Sequence, residues 1–184
     1  MMAAISDKEL QSIVERVLSQ LPPKEAPSRP VGQAQGHKTV ALGADHGGYA
    51  MKDMLKEHLT KQGHTIIDCG TNSGDSVDYP DFAQAVARKV SSNEACCGII
   101  VDGAGIGSCM AANKVDGVRA AMCYDYATAI NSREHNHANV LTLGAGLIGN
   151  SLAKQIVDAW MSTEYGEGRH AMRVQKIMAI EASA

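Results

Sequence analysis

From Lys38 onward the chain alternates two kinds of hydrophobic pattern. Short apolar runs, each closed by a glycine-containing or polar turn, predict strands at Thr39–Leu42, Thr65–Asp68, Gly98–Asp102, Val118–Met122 and Val140–Leu143. Between and after them, apolar residues recur at helical spacing near Tyr49–Gln62, Asp81–Ser91, Ser108–Lys114, Tyr126–Glu134 and Asn150–Met161. Strand followed by helix, five times over, predicts an α/β fold with a parallel sheet covered on both faces. A last helix near His170–Glu181 has no strand after it and is available to pack on a neighbouring copy, which hints at a dimer. No internal repeat is evident.

Upstream of Lys38 the pattern changes. Ser6 and Glu9 form a capping box, and Ile5 with Leu10 a hydrophobic staple. Leu10, Ile13, Val14, Val17, Leu18 and Leu21 then make one apolar stripe on an amphipathic helix. The stretch Pro22–Gly36 holds four of the five prolines and almost nothing apolar, so it reads as a linker. The chain thus divides into a helix within residues 1–21, a linker at 22–37 and a body at 38–184. The helix packs either on its own body or on another protein. An element that docks close by has no need of so long a polar connection, so docking elsewhere is the expectation.

Composition narrows the classes. The 184 residues are 45% hydrophobic and 20% charged, an ordinary globular balance. No apolar run approaches the roughly 18 residues of a membrane helix. Met1–Ala4 shows neither the basic nor the apolar region of a secretory leader, so a cytoplasmic protein is expected. A net charge of -3 gives no basic footprint for nucleic acid, and 4% aromatic residues give no base-stacking platform. Five cysteines, with neither a CxxC nor zinc-type spacing, read as reduced thiols.

In an open parallel sheet, ligands bind where strands end. After the first predicted strand come Asp45, His46, Gly47 and Gly48; after the second, Asp68-Cys69-Gly70-Thr71 and then Asp78-Tyr79-Pro80. After the third come Asp102 and the run Gly103-Ala104-Gly105-Ile106-Gly107-Ser108; after the fourth, Tyr124-Asp125. The glycine run opens a helix, so its amides either hold an anion or simply form a tight turn. It is GxGxG after the third strand, not the GxGxxG of dinucleotide folds. Asp102 closes an apolar strand and suits either a general base or a helix cap. His135-Asn136-His137 is a weak metal signal, and no convincing metal set is present. Arg169 and Arg173 lie four apart on one helix face, as a phosphate clamp or as a solvated basic face.

Together the runs GADHGGYAMKDML, DCGT, DYPDFA, GIIVDGAGIGSCMAANKVDGVRAA, SREHNHANVLTLG and EGRHAMRV resemble the sugar-phosphate isomerase family of ribose-5-phosphate isomerase B and galactose-6-phosphate isomerase. The resemblance spans about Thr39 to Ala182. It implies a Rossmann-like three-layer α/β/α sandwich with a five-stranded parallel sheet. It also implies a homodimer or tetramer with sites at the subunit interface, and no metal or organic cofactor. The implied reaction is ribose 5-phosphate to ribulose 5-phosphate through a cis-enediolate. A tetrose or hexose phosphate, or a catalytically weak binding or scaffold homologue, is the alternative.

By that resemblance Asp45, His46 and Tyr79 contact the sugar, and the amides of Gly103, Ala104, Gly105, Ile106 and Gly107 hold the enediolate oxygen. His135 opens the ring and Asn136 binds the enediolate, both given by the partner subunit. Arg169 and Arg173 hold the phosphate. Two positions depart from the pattern. Asp102 stands where many members have a cysteine base, and Ser108 where others have a glutamate, so Asp102 is the only acid in the loop. Gly146 stands where many carry a further substrate-binding arginine. The N-terminal helix and linker resemble the encapsulation peptides that carry cargo into bacterial microcompartments.

Overall fold

The computed structural model describes residues 38–181; the proposed docking helix and its linker lie outside the described residues. Five strands, β1 (Thr39–Ala44), β2 (Thr65–Asp68), β3 (Cys97–Asp102), β4 (Ala120–Met122) and β5 (Val140–Gly144), form one parallel sheet in the order β2-β1-β3-β5-β4. The described helices are α1 (Tyr49–Lys61), α2 (Tyr79–Ser91), α3 (Ile106–Ala112), α4 (Tyr126–Glu134), α5 (Asn150–Ser162) and α6 (Arg169–Glu181). Among the described residues no helix is long and apolar enough to cross a membrane.

Side chains of a strand alternate between the sheet's faces, and both faces here are covered. Val40, Leu42, Ile99, Val101, Leu141 and Leu143 pack with Leu55 and Leu59 of α1 and with Ile156, Val157 and Trp160 of α5. Ala41, Ile100 and Val140 pack on the other face with Ala83, Val86, Ala87 and Val90 of α2 and Ala112 of α3. The expected five βα units and three layers are therefore present.

Most boundaries shift by one or two residues from the sequence reading, and three of the shifts have a local cause. Helix α2 begins at Tyr79 rather than Asp81, because Pro80 falls in the first turn, where its missing N–H costs nothing. Helix α3 begins at Ile106 rather than Ser108, so Ile106 and Gly107 are helical and only Gly103–Gly105 form the turn. Strand β4 starts at Ala120, not Val118. The Arg119 amide donates to the Asn139 side chain at 2.7 Å, outside any ladder. Asn113 then caps the exposed edge of β4, accepting the Ala120 amide at 2.8 Å and donating to its carbonyl at 3.0 Å.

Strand order fixes where a ligand fits. The chain runs from β1 to β2 on one side and then crosses to β3 on the other, so the loops after β1 and β3 part from each other. Such a switch point leaves a crevice at the carboxyl ends of the two strands.

Candidate active site

The crevice is built on Asp102. This carboxylate ends β3 and is 4% exposed. Its Oδ1 accepts the Ala104 amide at 2.8 Å and also the Gly105 amide, while Oδ2 accepts the Ser108 amide at 3.0 Å. Asp102 is not the N-cap residue itself, which is Gly105, but its side chain does the capping from the end of β3: it ties the glycine turn to the first turn of α3. Gly105 has φ of 79°, a left-handed conformation that a side chain would strain.

The back of the turn is pinned as well. Gly103 O accepts the Gly146 amide at 3.0 Å, Ala104 O the Tyr124 hydroxyl at 2.5 Å, and Gly105 O the Thr142 hydroxyl at 2.9 Å. With its carbonyls held and the Ala104 and Gly105 amides on Asp102, the loop leaves the Gly103 amide and the Ile106 and Gly107 amides, first in α3, without an acceptor among the described residues. Preorganised N–H groups of this kind stabilise a developing oxyanion.

Sequence reasoning gave Tyr124 and Thr142 no role. A signal existed for Thr142, a fully buried hydroxyl in the otherwise apolar Val140–Gly144, since a buried polar group needs a partner. Tyr124 gave no signal beyond standing after a strand.

Across the crevice, Asp45 follows β1 and its Oδ1 accepts the Gly48 amide at 2.9 Å. The loops of β1 and β3 touch here: a Cβ on Gly47 would lie 3.3 Å from Asp45 Oδ1 and 3.7 Å from Gly103 N. His46 is exposed, and its Nδ1 stands 3.2 Å from both the carbonyl and the amide of Val77. Tyr79, 40% exposed, lays its ring over Gly107, where a Cβ would come within 2.5 Å of Cζ. Asp45, His46, Tyr79, Asp102 and the glycine run are therefore brought to one edge.

A second cluster forms at the end of α4. The His135 ring stacks on His170 with centroids 4.2 Å apart, and Nδ1 is 2.8 Å from Asn131 Nδ2. Asn136 Nδ2 donates to the Asn131 carbonyl at 3.3 Å. Arg169 and Arg173 flank His170 on α6, exposed and in no ion pair with a described residue. Desolvation first, then the His135 ring and the two guanidinium charges, holds His170 below the ordinary histidine value. His135 and the arginine pair thus share one electrostatic neighbourhood. No hydrogen bond, ion pair or ring contact among the described residues joins this cluster to the crevice of the same chain. Nor is there among them a group of three or more His, Cys, Asp or Glu side chains arranged for a metal.

Comparison with known proteins follows the same body. Residues 40–177 match the family described as Ribose/Galactose Isomerase. Ribose-5-phosphate isomerase B of Escherichia coli is 44% identical over 144 residues, covering 78% of this chain and 97% of its own. D-erythrulose-4-phosphate isomerase of Pectobacterium atrosepticum is 39% identical over 140 residues, 76% of this chain and 92% of its own. Among solved structures, Clostridium thermocellum ribose-5-phosphate isomerase B superposes with a TM-score of 0.78 at 48% identity, covering 79% of this chain and 98% of that one. The Mycoplasma genitalium ribose-5-phosphate isomerase B with bound ribulose-5-phosphate gives 0.77 at 39% identity, covering 79% and 97%.

Proposed function

Because this chain belongs to the ribose/galactose isomerase family, we propose that it is an aldose–ketose isomerase of a phosphorylated sugar, with ribose 5-phosphate and ribulose 5-phosphate as its pair. The observation that carries this reading is the glycine loop, anchored by Asp102 at the sheet's switch point, with the Ile106 and Gly107 amides among those left without an acceptor by the described residues.

The chemistry needs a ring opener, a base and an oxyanion site. His135 assists ring opening, and Arg169 and Arg173 hold the phosphate. Asp102 takes the C2 proton, and the electron pair moves onto the C1 carbonyl oxygen as an enediolate. The Ile106 and Gly107 amides hold that oxygen, aided by Asn136. The proton then returns at C1 while the O2 proton passes to O1, which leaves the neutral ketose with no net gain or loss of protons. A carboxylate has about four acceptor positions. Backbone amides take two on Oδ1 and one on Oδ2, which leaves one on Oδ2 for the substrate proton.

The separation of the two clusters supports a homodimer or tetramer in which His135, Asn136 and the arginines act on the partner's crevice. Exposed Ile106, Met110, Tyr126 and Leu147 give this chain apolar surface suited to a second copy. The enzyme is proposed to work in the cytoplasm, as cargo of a bacterial microcompartment docked through residues 1–21. A reporter carrying residues 1–21 tests that placement: a reporter that stays diffuse among shells removes it.

A tetrose phosphate is the second reading. It is favoured by the erythrulose-phosphate relative and by Gly146, whose missing side chain leaves one cation fewer for substrate. A coupled assay across four-, five- and six-carbon aldose phosphates decides. Highest kcat/KM on ribose 5-phosphate supports the first reading, and a four-carbon optimum the second. Absence of turnover on all three leaves a binding or scaffold homologue.

A further inference from the structure

Cys96 and Cys97 stand together at the amino-terminal end of β3. They lie at the opposite end of that strand from Asp102, about 20 Å away at the usual strand rise. Nothing in the isomerase reading uses them. All five cysteines are free, and they divide sharply by environment. Cys69, Cys109 and Cys123 are half-buried or buried, and desolvation pushes each thiol up. Cys96 is the exposed one.

The surroundings of Cys96 favour a thiolate. Cys97 is buried, and its Sγ lies 3.7 Å from both Cys96 Sγ and Met161 Sδ. Between the neutral thiols Cys96 donates to Cys97, whose own S–H goes to Met161 Sδ. Once Cys96 ionises it can only accept, and a charged thiolate outcompetes a neutral thioether for the Cys97 S–H. The Cys96 amide donates to the Thr39 carbonyl at 2.9 Å, which holds Cys96 beside the start of β1 and the positive charge of Lys38. Arg133, half-buried over the Trp160 ring, adds the pull of a second cation. The hydrogen bond from Cys97 comes first; those two charges then work with it against desolvation to bring Cys96 down to about 7, while Cys97 moves well up. A low, exposed thiol flanked by cations is the setting of a reactive cysteine.

We propose that Cys96 is a thiol–disulfide exchange site for an anionic low-molecular-weight disulfide, with Cys97 as the donor that holds its thiolate. The Cys96 thiolate attacks one sulfur of the disulfide. The old S–S bond breaks, a new one joins Cys96 to half the molecule, and the other half leaves as a thiolate that takes a proton from water. Cys96 is oxidised and the leaving half reduced, so electrons balance. Excess free thiol runs the step backwards. Lys38 and Arg133 favour an anionic reagent. Consecutive Cα atoms are about 3.8 Å apart, short of the usual ~4.4–6.8 Å of a disulfide. Closure onto Cys97 is therefore disfavoured, and the adduct stays on Cys96.

The full chain treated with oxidised glutathione near neutral pH tests this. Intact mass and peptide mapping should show one retained glutathione, on Cys96, removed by excess reduced glutathione and absent from Cys96→Ser. Cys97→Ala should react several-fold more slowly, and Cys97→Ser, which keeps a donor, close to the parent rate. The pH profile of Cys96 alkylation in the unmutated protein gives a readout independent of variant folding, with a midpoint near 7. Labelling of Cys69, Cys109 or Cys123 as fast as Cys96 overturns the proposal. So does a midpoint at the ordinary thiol value of about 8.5, or a Cys96–Cys97 disulfide with no glutathione kept.

Discussion

Asp102 carries two duties that pull its substitutions in different directions. As a cap it needs two acceptor oxygens; as a base it needs a titratable one. Asp102→Asn removes basicity, but it also turns one amide-accepting oxygen into an NH2 facing a backbone N–H. Leaving a buried donor unsatisfied costs about 1–3 kcal/mol. The variant is therefore expected to melt lower and to turn over about 10²-fold or more slowly per folded molecule, with phosphosugar binding kept. Activity within about threefold of the parent would take Asp102 out of proton transfer. Gly107 separates site geometry from stability. Alanine there gains up to about 1 kcal/mol of helix propensity, but its Cβ meets Cζ, Cε2 and the hydroxyl of Tyr79 at 2.5–2.8 Å. That ring is partly exposed and can swing outward, so Gly107→Ala should leave Tm unchanged or raised while KM rises. A fallen Tm with an unchanged KM would mean that Tyr79 packs the helix and does not meet substrate.

Whole elements were easier to read from the sequence than the polar contacts that lock them. Each βα unit announces itself because a buried strand is short and apolar and its helix shows a three-to-four spacing. Boundaries slipped where a side chain replaced a backbone partner, as Asn113 and Asn139 do around β4. Lys52 was not legible as a core residue. It sits in α1 at 0% exposure, where a lysine ordinarily reads as solvent-facing. Its Nζ donates to Asp68 Oδ1 at 2.8 Å, and Lys56 reaches Asp68 Oδ2 at 2.7 Å. This clamp ties α1 to the end of β2, where the Gly70 amide also donates to Asp68 and the Thr71 amide to Ala44 beside the crevice. Burial alone would push Asp68 up, but the lysine and Gly70 hydrogen bonds and the Lys52 charge outweigh it and hold the carboxyl at about 2. That lies below its unfolded value of about 3.9. The stabilisation is therefore complete above about pH 4 and is lost as pH falls toward 2. Asp68→Asn should lower Tm at neutral pH by leaving Lys52 facing a neutral amide, and should flatten the acid limb of stability. Lys52→Met in the same background should recover part of the loss. An unchanged acid limb in Asp68→Asn would show that other carboxylates govern it.

At the scale of the whole molecule, one chain presents two half-sites that no described contact joins. The crevice holds Asp45, His46, Tyr79 and Asp102. The far cluster holds His135, Asn136, Arg169 and Arg173, gathered by the end of α4 and by α6. The sequence named the members of both sets but could not show their separation, because distance between loops depends on packing rather than on any residue's type. The stacked His135–His170 pair shows how firmly the second cluster is organised on its own. Two-fold symmetry offers a simple way to bring such halves together, since each copy then gives its far cluster to the other's crevice. That arrangement makes a quantitative demand. Asp102→Asn and His135→Ala should each be nearly inactive alone. Mixed and allowed to exchange subunits, half of the dimers are hybrids, and each hybrid has one site with both lesions and one with neither. Recovered activity should therefore approach about a quarter of the unmutated enzyme. The assay is turnover against time after mixing, with exchange followed by native mass spectrometry of the two variants. If hybrids form and activity stays at the level of the separate variants, both clusters serve the same chain, and His135 must reach its own crevice by a rearrangement of α4.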